Sequence, residues 1–541
     1  MIGGSERIVV IGGGIAGLAA SALLARDGHR VTLLEANAEL GGRAGSWSRD
    51  GFRFDTGPSW YLMPEVFEHF FRLFGTSAAE QLDLVRLDPG YRVYADGYDD
   101  AIDIRGSRRE NAALFESIEP GAGAALERYL DSAESTYDIA RRRFLYTNFD
   151  GLRGLLAPEV LRGAGRLTTL LTTSLERFAA RSVQDRRLRQ VLGYPSVFLG
   201  SSPSATPAMY HLMSHMDLEQ GVFYPRGGFT SVIDAIASIA SDAGVDLVLN
   251  AHVDAIELTE ESDPSVTGVR FRDARGAVHR VPAHRVVSAA DLHHTETELL
   301  PGHARTYPES WWRRRTSGPG AVLAMLGVRG EVPGLAHHTL FFTEDWHENF
   351  ERIFGDDPSI PDPASFYVCR PSATDASVAP PGDTNLFMLV PVPADVGIGR
   401  GGEDGRGDPL VEATADRAIA RIAEATGDAD LASRIVVRRT VGPADFAADL
   451  NSWRGGALGP AHTLRQSAFL RGSNRSRRVQ GLLYAGGSSV PGIGLPMCLI
   501  SAENVVKRVR GDRSAGPLAE PGPDASVPAS EPSKVRARGR A

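Results

Sequence analysis

This sequence has little lysine, little cysteine and no long apolar run. Among its 541 residues lysine occurs only at Lys507 and Lys534, so arginine carries nearly all of the positive charge. The only cysteines, Cys369 and Cys498, stand far apart, which excludes a CxxC redox pair and argues against a disulfide framework. No apolar stretch approaches the roughly 20 residues of a membrane-spanning helix, so we expect no transmembrane anchor.

The size and the charge of the chain narrow the class of protein. A chain of 541 residues exceeds the size at which one hydrophobic core keeps growing, so we expect at least two domains. A net charge of −9 gives the molecule no electrostatic reason to bind nucleic acid. The opening residues pass directly into an apolar strand without the pattern of a signal peptide, and we expect a cytoplasmic protein.

The first glycine cluster, VVIGGGIAGLAAS, lies between a predicted strand and a predicted helix. Its Gly12, Gly14 and Gly17 form GxGxxG, whose small residues allow a tight turn, close approach of a pyrophosphate and packing of the helix. Glu35 ends the next predicted strand, where a carboxylate can accept hydrogen bonds from both ribose hydroxyls and disfavours a 2′-phosphate. The unit predicts a dinucleotide site, and both NAD and FAD remain open at this point.

Two glycine-containing turns come after this unit. The stretch ELGGRAGSW contains Arg43, whose guanidinium either pairs with a pyrophosphate or is an ordinary solvated surface group. The stretch FDTGPSW adds another tight turn around Gly57. Further along, residues 105 to 220 have mainly helical patterns, while stretches such as GVDLVLNAHVDAIEL and GAVLAMLGVRGE predict strands.

A second glycine cluster, YAGGSSVPGIGLPMCLISAE, lies close to the end of the chain. Glycine is needed where the backbone must approach another group closely, and this cluster leads into an apolar helical segment. We interpret it as the return of the chain to the opening βαβ unit. The tail from Gly511 is rich in Pro, Ala, Gly and Ser with few large apolar residues, so we expect it to be disordered.

With these motifs the chain resembles the phytoene desaturase family of carotenoid biosynthesis, within the wider FAD-dependent amine oxidase-like superfamily. Besides the two glycine clusters, the resemblance rests on LGGRAGS, FDTGPSWYLMPEVF, YPRGG, LAHHTLFF and YVCRPSATDASVAPPGDTNLFMLVPVP, in matching order over about residues 5 to 510. The form PGIGLPMCLISAE is similar to the bacterial, actinobacterial-type branch, where other branches carry a THPGAG type of sequence.

The resemblance implies an α/β fold. A Rossmann-like FAD-binding domain of the glutathione reductase and amine oxidase type interleaves with a substrate domain of helices and a mixed β-sheet. FAD is the implied redox cofactor, with no metal, and the single GxGxxG leaves no separate NAD(P)H domain. The expected boundaries are FAD-binding parts at 1–90, 221–295 and 441–510, a helical substrate and membrane-contact domain at 91–220, a substrate domain with a β-sheet at 296–440, and a disordered tail at 511–541.

The resemblance also implies which residues meet FAD. Val253 would contact adenine through its backbone, and residues 487 to 497 would hold the pyrophosphate and the isoalloxazine. A helix that begins near Gly494 would point its amino terminus at the flavin and stabilise negative charge there. The expected cofactor contacts are Gly12, Gly14, Ile15, Ala16, Gly17, Glu35, Gly42, Arg43, Gly57, Pro58, Ser59, Val253, Gly486, Gly487, Gly494 and Met497.

The implied reaction is desaturation of phytoene, or a related polyene, towards neurosporene or lycopene, with a hydride passing to flavin N5. Oxygen or a quinone would reoxidise the flavin. Asp291, Asp445 and His338, with its neighbour His337, are candidate proton acceptors, although each also suits a cap, a turn or a satisfied core position. The acceptor therefore stays unassigned.

Three other residue groups allow two interpretations each. Cys369 and Cys498 are expected to be buried structural thiols rather than redox groups. The neighbours Trp60, Tyr61 and Leu62 either line the substrate tunnel or belong to ordinary core. Residues 148 to 182 mix leucines with five arginines and few acids, so they either lie in a lipid interface or pack on the substrate domain. Because the substrate dissolves in lipid, we expect peripheral association with the inner face of the cell membrane.

Three alternative functions remain open. A flavin amine oxidase would share both nucleotide regions, but many such enzymes place a lysine near flavin N5, and neither Lys507 nor Lys534 is well positioned for that. A carotenoid isomerase or oxidase of the same fold is less easily separated. The non-enzymatic alternative is a flavin-free prenyl-binding escort protein, against which the intact GxGxxG and Glu35 argue.

Overall fold

The strands form two large sheets and three small ones in the computed structural model, which describes residues 5–149 and 164–521. In chain order they are β1 Arg7–Ile11, β2 Arg30–Leu34, β3 Ser46–Arg49, β4 Phe52–Asp55, β5 Leu84–Arg86, β6 Tyr91–Ala95, β7 Ile102–Ile104, β8 Phe223–Pro225, β9 Asp246–Val248, β10 His252–Leu258, β11 Val266–Arg272, β12 Val278–Pro282, β13 Arg285–Ser288, β14 Gly320–Val328, β15 His338–Phe342, β16 Phe366–Cys369, β17 Thr384–Val392, β18 Ile435–Val441 and β19 Leu482–Tyr484.

The α-helices surround these sheets. In chain order they are α1 Ile15–Arg26, α2 Pro64–Arg72, α3 Ala78–Gln81, α4 Arg108–Ile118, α5 Ala122–Ala140, α6 Ala164–Thr172, α7 Leu175–Ala180, α8 Arg186–Gly193, α9 Pro195–Phe198, α10 Met213–His215, α11 Phe229–Asp242, α12 Leu292–Thr297, α13 Glu309–Trp312, α14 Trp346–Phe354, α15 Pro409–Thr426, α16 Pro443–Leu450 and α17 Leu495–Arg510. Helices α4 to α10 fall in the range 105 to 220, which the sequence pattern predicts to be mainly helical.

The first large sheet has five strands in the order β19-β13-β1-β2-β9, and every pair in it is parallel. Its strands come from the start, the middle and the end of the chain, as the interleaved fold class predicts. Both faces are covered: Ile8 and Val10 pack with the helices on one side, while Val9 and Ile11 pack in a second core on the other. Burial on both faces is what a parallel sheet requires.

Helices α1, α11 and α17 cover the first of these faces. Helix α1 is apolar around its whole circumference, and each of its residues from Ile15 to Leu24 is buried. Helix α17 starts after Gly494 and has Pro496 in its first turn. It ends at Gly511, which has a left-handed φ of +70°. On the other face the antiparallel strands β10, β11 and β12 form a separate sheet.

The second large sheet has seven strands in the order β18-β14-β17-β16-β15-β6-β7. Only β15 and β6 pair in parallel, so the sheet is mixed, as predicted for the substrate domain. All nine residues of the central strand β14 are buried. One face packs on α15, and the opposite face meets β4 and the residues after it. This contact joins the substrate domain to the turn at Gly57.

The first part of the predicted disordered tail, residues 511–521, is packed against α17. Leu518 is 4% exposed, and its N–H donates to Glu503 Oε2 at 2.9 Å. Glu520 Oε1 lies 2.8 Å from His69 Nδ1. One leucine and two hydrogen-bonded acids therefore order a segment whose composition predicts disorder. The rest of the predicted tail, residues 522–541, lies outside the described residues.

The predicted membrane-contact stretch is described only in part. Residues 150–163 lie outside the described residues, and helices α6 and α7 form most of the stretch from residue 164 to its end. Among the helices in residues 5–149 and 164–521, none combines the length and the apolar character needed to cross a membrane.

Candidate functional site

The glycine loop between β1 and α1 brings main chain against main chain. Gly12 has a φ of +99°, and a Cβ on Gly17 would lie 1.9 Å from the carbonyl oxygen of Gly12. Gly14 is the N-cap of α1, and no side chain caps this end. Within the described residues the N–H groups of Ile15 and Ala16 have no acceptor. They are open to a phosphate at a helix end that carries partial positive charge.

Glu35 lies directly against this loop and is 6% exposed. Its Oε2 accepts a hydrogen bond from the N–H of Gly13 at 2.6 Å, and its Oε1 accepts from the N–H of Asn37 at 2.8 Å. Each oxygen keeps a second lone pair, which ribose hydroxyls can use. The Glu35 carbonyl accepts from the N–H of Ala251 at 2.7 Å, so Val253 lies two residues along the chain from this end of β2.

The strand order places the two glycine clusters along one edge of the sheet. Glu35 follows β2, Gly12 follows β1, and Ala485 follows β19, where its N–H donates to Ser288 at 2.9 Å. Three strand spacings separate β2 from β19, which is about 14 Å. Ligands of parallel α/β sheets bind at this carboxyl edge. A dinucleotide whose ribose meets Glu35 and whose phosphates meet Gly12 therefore has its other half on the β19 side.

The first turn of α17, at the β19 end of the sheet, is partly accessible. Leu499 and Ile500 in α17 are 0% exposed, whereas Gly494 is exposed and residues 495–498 are partly exposed. Gly494 has a φ of +119°, and no side chain caps α17 there. A Cβ on Gly487 would meet nothing closer than 3.8 Å. Residues 499–507 are buried, and accessibility returns only at the other end of the helix, at residues 508–510. The amino terminus of α17 is therefore open to a ligand in the accessible space beside residues 494–498, which we call the cavity.

The two glycine-containing turns after β2 form a third wall. Gly41 donates its N–H to Gly13 at 2.9 Å, and a Cβ on Gly42 would lie 3.3 Å from the Cα of Gly14. A Cβ on Gly57 would lie 2.0 Å from the carbonyl oxygen of Arg43. These close approaches hold both turns against the first loop.

Arg43 has protein partners that the sequence does not predict. Its Nε donates to the carbonyl of Ala457 at 3.0 Å, and its Nη2 donates to Ser452 Oγ at 2.6 Å. The guanidinium thus ties the start of the chain to its last third. Only its remaining N–H groups can serve the predicted contact with a pyrophosphate.

These residues fit FAD. The first loop and α1 supply phosphate-binding N–H groups, Glu35 supplies two ribose acceptors, and α17 supplies a second uncapped helix end at the cavity. Such a set of donors and acceptors matches the two halves of a dinucleotide. Ile15, Ala16, Pro58 and Met497 lie on the segments that form these walls.

Ser59 connects this wall to the substrate-domain sheet. Its Oγ lies 2.7 Å from the hydroxyl of Tyr367, and that hydroxyl lies 2.6 Å from His338 Nδ1. Trp60 stacks on the His338 ring with centroids 4.5 Å apart and planes inclined by 10°. Within the described residues His338 Nε2 has no partner. Sequence reasoning missed Tyr367, because its role depends on the pairing of β16 with β15.

The other two candidate proton acceptors act as caps. Asp291 accepts from the N–H groups of His293 at 2.9 Å and His294 at 3.4 Å, at the start of α12. Asp445 Oδ2 accepts from the N–H groups of Gly401 at 2.7 Å and Gly442 at 2.8 Å. Both carboxylates therefore have the structural roles that the sequence left open for them.

Burial suppresses the ionisation of His338 and of both cysteines. Burial and the neighbouring His337 lower the pKa of His338 well below its usual range, so its imidazole is neutral at pH 7. Burial raises the pKa of Cys498 to about 11 and that of Cys369 above its usual range. Protonated thiols are poor nucleophiles, which fits the expectation of structural cysteines. Cys369 pairs with His338 across β16 and β15.

Comparison with known proteins identifies the family. The family model described as "Flavin containing amine oxidoreductase" matches residues 15–510. A carotenoid 3,4-desaturase of Haloarcula japonica is 43% identical over 94% of this chain and 98% of its own. A zeta-carotene-forming phytoene desaturase of Myxococcus xanthus is 36% identical over 93% of this chain and 94% of its own.

The fold has counterparts among solved structures. An oxidoreductase from Methanosarcina mazei superposes with a TM-score of 0.60 at 16% identity, covering 93% of this chain and all of the other. Cyclohexylamine oxidase from Brevibacterium oxydans superposes with a TM-score of 0.53 at 14% identity, covering 94% of this chain and all of the other. The chain therefore belongs to the flavin containing amine oxidoreductase family, and it is an FAD-dependent oxidoreductase among the carotenoid desaturases of that family.

Proposed function

We propose that this protein desaturates linear carotenoids with FAD at a membrane surface. The observation that carries the proposal is the match of nearly the whole chain to two relatives named as carotenoid desaturases, at 43% and 36% identity. The geometry at Gly17 and Glu35 supports it, because both positions keep what a dinucleotide needs.

The proposed reaction makes one carbon–carbon double bond in each step. FAD held by the first glycine loop and Glu35 would supply the acceptor for a hydride from one substrate carbon. A proton would leave the adjacent carbon, and the electron pair of that second C–H bond would form the double bond. The chain has to orient an apolar polyene and exclude water. The rings of Tyr91, Tyr194 and Phe198 surround Trp60, with centroids 5.2, 6.1 and 5.3 Å from it. Tyr91 and Tyr194 are buried and support Trp60 and Phe198, whose partly exposed rings offer apolar surface for that purpose.

Among the three candidates we favour His338 as a relay that passes the proton on, because burial lowers its pKa and disfavours a lasting imidazolium. Asp291 and Asp445 already accept two backbone hydrogen bonds each, whereas His338 is neutral and stacks on Trp60 at the boundary between the two domains. The Tyr367 hydroxyl can donate to one of its two neighbours while it accepts from the other. A proton on His338 can therefore pass towards Ser59.

Phytoene is the proposed substrate, and oxygen or a quinone is the proposed final electron acceptor. A second candidate is desaturation at the 3,4 position of a longer conjugated carotenoid, because the relative with 43% identity carries that name. Both reactions use the same cofactor and the same bond chemistry. They differ in which polyene reaches the flavin.

The structure disfavours the amine oxidase alternative. The Lys507 ammonium group donates to the carbonyls of Tyr146 at 2.8 Å and Ser514 at 3.3 Å, near the carboxyl end of α17. It is therefore at the opposite end of this helix from Gly494. Within the described residues no other lysine exists that could approach the flavin.

Product analysis tests the proposal. We expect a phytoene-accumulating host that expresses the protein to lose phytoene and gain conjugated polyenes, and chromatography would give the number of steps. Conversion of lycopene but not phytoene would select the 3,4-desaturase alternative. If both polyenes persist unchanged beside protein that is fully loaded with FAD, the proposed function is wrong.

Membrane association has support on one exposed surface. Leu464, Phe469 and Leu470 are 47%, 59% and 43% exposed within a single short segment. Arg315 donates to the carbonyl of Arg465 at 2.9 Å, which brings the exposed Arg313 and Arg314 close to this segment. Large apolar groups beside arginines suit the interface of an anionic membrane. The Phe149 ring, which belongs to the predicted membrane-contact stretch, lies 6.4 Å from that of Phe469.

Vesicle binding tests this surface. We expect the protein to sediment with anionic vesicles more than with zwitterionic ones, and salt to weaken the binding. The variant F469S should bind several-fold more weakly. V278S is the matched control, because Val278 is also 59% exposed but lies on β12. Equal loss in both variants, or no vesicle binding by the wild type, would reject the proposed surface.

A further inference from the structure

Arg471 is a buried cation without an anionic partner. It is 6% exposed, and it forms no ion pair with any carboxylate in residues 5–149 and 164–521. Its acceptors are all neutral carbonyls. They belong to Gly487 at 2.6 Å, Pro460 at 3.1 Å, Ser489 at 3.2 Å and Gln466 at 3.4 Å. Burying a charge without an anionic partner costs free energy, so negative charge from a ligand bound near this position would stabilise it.

The guanidinium lies behind the second glycine cluster. Two of its acceptors, Gly487 and Ser489, belong to the loop that joins β19 to α17. Its charge also acts on Cys498, which lies in the partly exposed first turn of α17. Arg471 is therefore on the β19 side of the site, about three strand spacings or 14 Å from the Glu35 side.

One peptide group of this loop, between Gly487 and Ser488, lies with its dipole directed away from the guanidinium of Arg471. In a trans peptide the N–H points opposite to the carbonyl. Because the Gly487 carbonyl faces Arg471, the N–H of Ser488 points away from the guanidinium. Within the described part of the chain this N–H has no acceptor. The amino terminus of α17, which no side chain caps, adds positive potential at the same place.

From this arrangement we propose that Arg471 raises the electron affinity of the flavin by stabilising the negative charge that the isoalloxazine gains on reduction. A charge placed near the flavin ring is one of the ways in which a protein tunes this cofactor. Burial lowers the pKa of Arg471 to about 10, so the guanidinium remains charged at neutral pH. The role concerns the cofactor alone and does not depend on which polyene is the substrate.

Sulfite binding and the flavin midpoint potential test the role without any carotenoid. Sulfite adds to oxidised flavin and leaves negative charge on the ring, so its affinity follows the electron affinity of the flavin. We expect R471Q holoenzyme to bind sulfite at least about tenfold more weakly. If the two-electron equilibrium changes by the same factor, the potential falls by about 30 mV. Guanidinium ion added to R471Q should restore part of the affinity.

Two variants separate this role from a structural one. R305Q removes another guanidinium that donates to backbone carbonyls, those of Thr297 and Leu300, neither of which belongs to a glycine cluster. It should leave sulfite affinity unchanged. R471K keeps the charge, and its sulfite affinity should fall at alkaline pH, where a buried lysine loses its proton more readily than arginine.

The proposal fails if R471Q binds FAD but keeps the wild-type potential and sulfite affinity. A loss of FAD affinity with an unchanged potential would assign Arg471 to the pyrophosphate or to loop structure instead. If R471Q does not fold, R471K is the deciding variant. The proposal would be contradicted if the sulfite affinity of R471K depended on pH in the same way as that of the wild type.

Discussion

The two glycine clusters at the flavin site require glycine for different reasons. In the first cluster main chain meets main chain, since a Cβ on Gly17 would lie 1.9 Å from the carbonyl oxygen of Gly12. In the second, main chain meets a buried ring, since a Cβ on Gly492 would lie 2.3 Å from His462. That ring is held by the Tyr210 hydroxyl at 3.1 Å and the N–H of Ile493 at 3.3 Å.

The first glycine cluster is therefore self-contained, whereas the second depends on residues from another segment of the chain. The first cluster is complete within one βαβ unit, together with Glu35. The second takes its shape from His462 and Arg471, which precede it in the chain and are both buried. The first therefore serves the nucleotide half through backbone geometry, whereas the second places buried side chains beside the proposed flavin half.

The largest effect is expected for G17A in the first cluster. Even a methyl group cannot fit 1.9 Å from a carbonyl oxygen, so α1 would have to move off β1, at a cost above about 3 kcal/mol. We expect at least a tenfold loss of FAD-containing protein, measured by flavin absorbance per purified chain. G302A is the control, because no atom lies within 4 Å of its added Cβ. Normal FAD content in G17A would contradict the assigned role of this contact.

A smaller effect is expected for E35Q. Glutamine keeps one acceptor oxygen but loses the charge, and a hydrogen bond to a charged group contributes about 1.5–3 kcal/mol. We therefore expect FAD to dissociate about tenfold to a hundredfold more readily, as measured by titration of the apoprotein. The midpoint potential should not change, because Glu35 is on the nucleotide side. A shift in potential with unchanged affinity would reverse the assignment of the two halves.

In the second cluster G492A should destabilise the protein by about 1–3 kcal/mol, because the buried His462 ring cannot yield to a Cβ at 2.3 Å. Urea unfolding would measure the change. Gly382 also has a positive φ, of +83°, but no atom lies within 4 Å of its added Cβ. G382A thus measures the cost of backbone strain alone. Equal losses of stability in G492A and G382A would show that the contact with the His462 ring makes no contribution.

The smallest effect concerns the carboxyl end of α17. Burial disfavours the His69 cation, but the Glu503 and Glu520 carboxylates outweigh it and raise the pKa of His69. A raised pKa in the folded state stabilises the protein below the unfolded value of about 6.5. That contribution is lost as pH rises through the folded pKa.

Because Glu520 is partly exposed, we expect a change below about 1 kcal/mol. The free energy of unfolding should be larger at pH 6 than at pH 9 by that amount, and this difference should disappear in H69Q. A wild-type dependence on pH in H69Q would show that other groups cause it.

The sequence predicts the half of the site around the first glycine cluster better than the half around the second. GxGxxG and Glu35 stand within one short unit with a fixed spacing, so the first half of the site can be inferred directly. The partners of Arg43 are Ala457 and Ser452, about four hundred residues away, and no local pattern indicates them. Arg471 stands in a segment without helical or strand periodicity, so its burial depends on loops that only the tertiary structure brings together.

The tail shows a related limit. Composition predicts disorder from Gly511 onward, but the buried Leu518 and a few hydrogen bonds anchor residues 511–521 on α17. Composition averages over a window of residues. It therefore misses single contacts, such as the hydrogen bond from the Leu518 N–H to Glu503 and the one between Glu520 and His69. By contrast, the helical pattern predicted for residues 105–220 agrees with the structure over the described residues 105–149 and 164–220, because periodicity over several turns is an extended signal.

The most direct test of the central claim is an anaerobic reaction of the holoenzyme with phytoene in vesicles, monitored by flavin absorbance and product chromatography together. We predict loss of the oxidised flavin band and one new carbon–carbon double bond for each flavin reduced. An oxidised flavin that stays unchanged in the presence of phytoene, and then of lycopene, would contradict the claim that this cavity transfers electrons from a carotenoid to FAD.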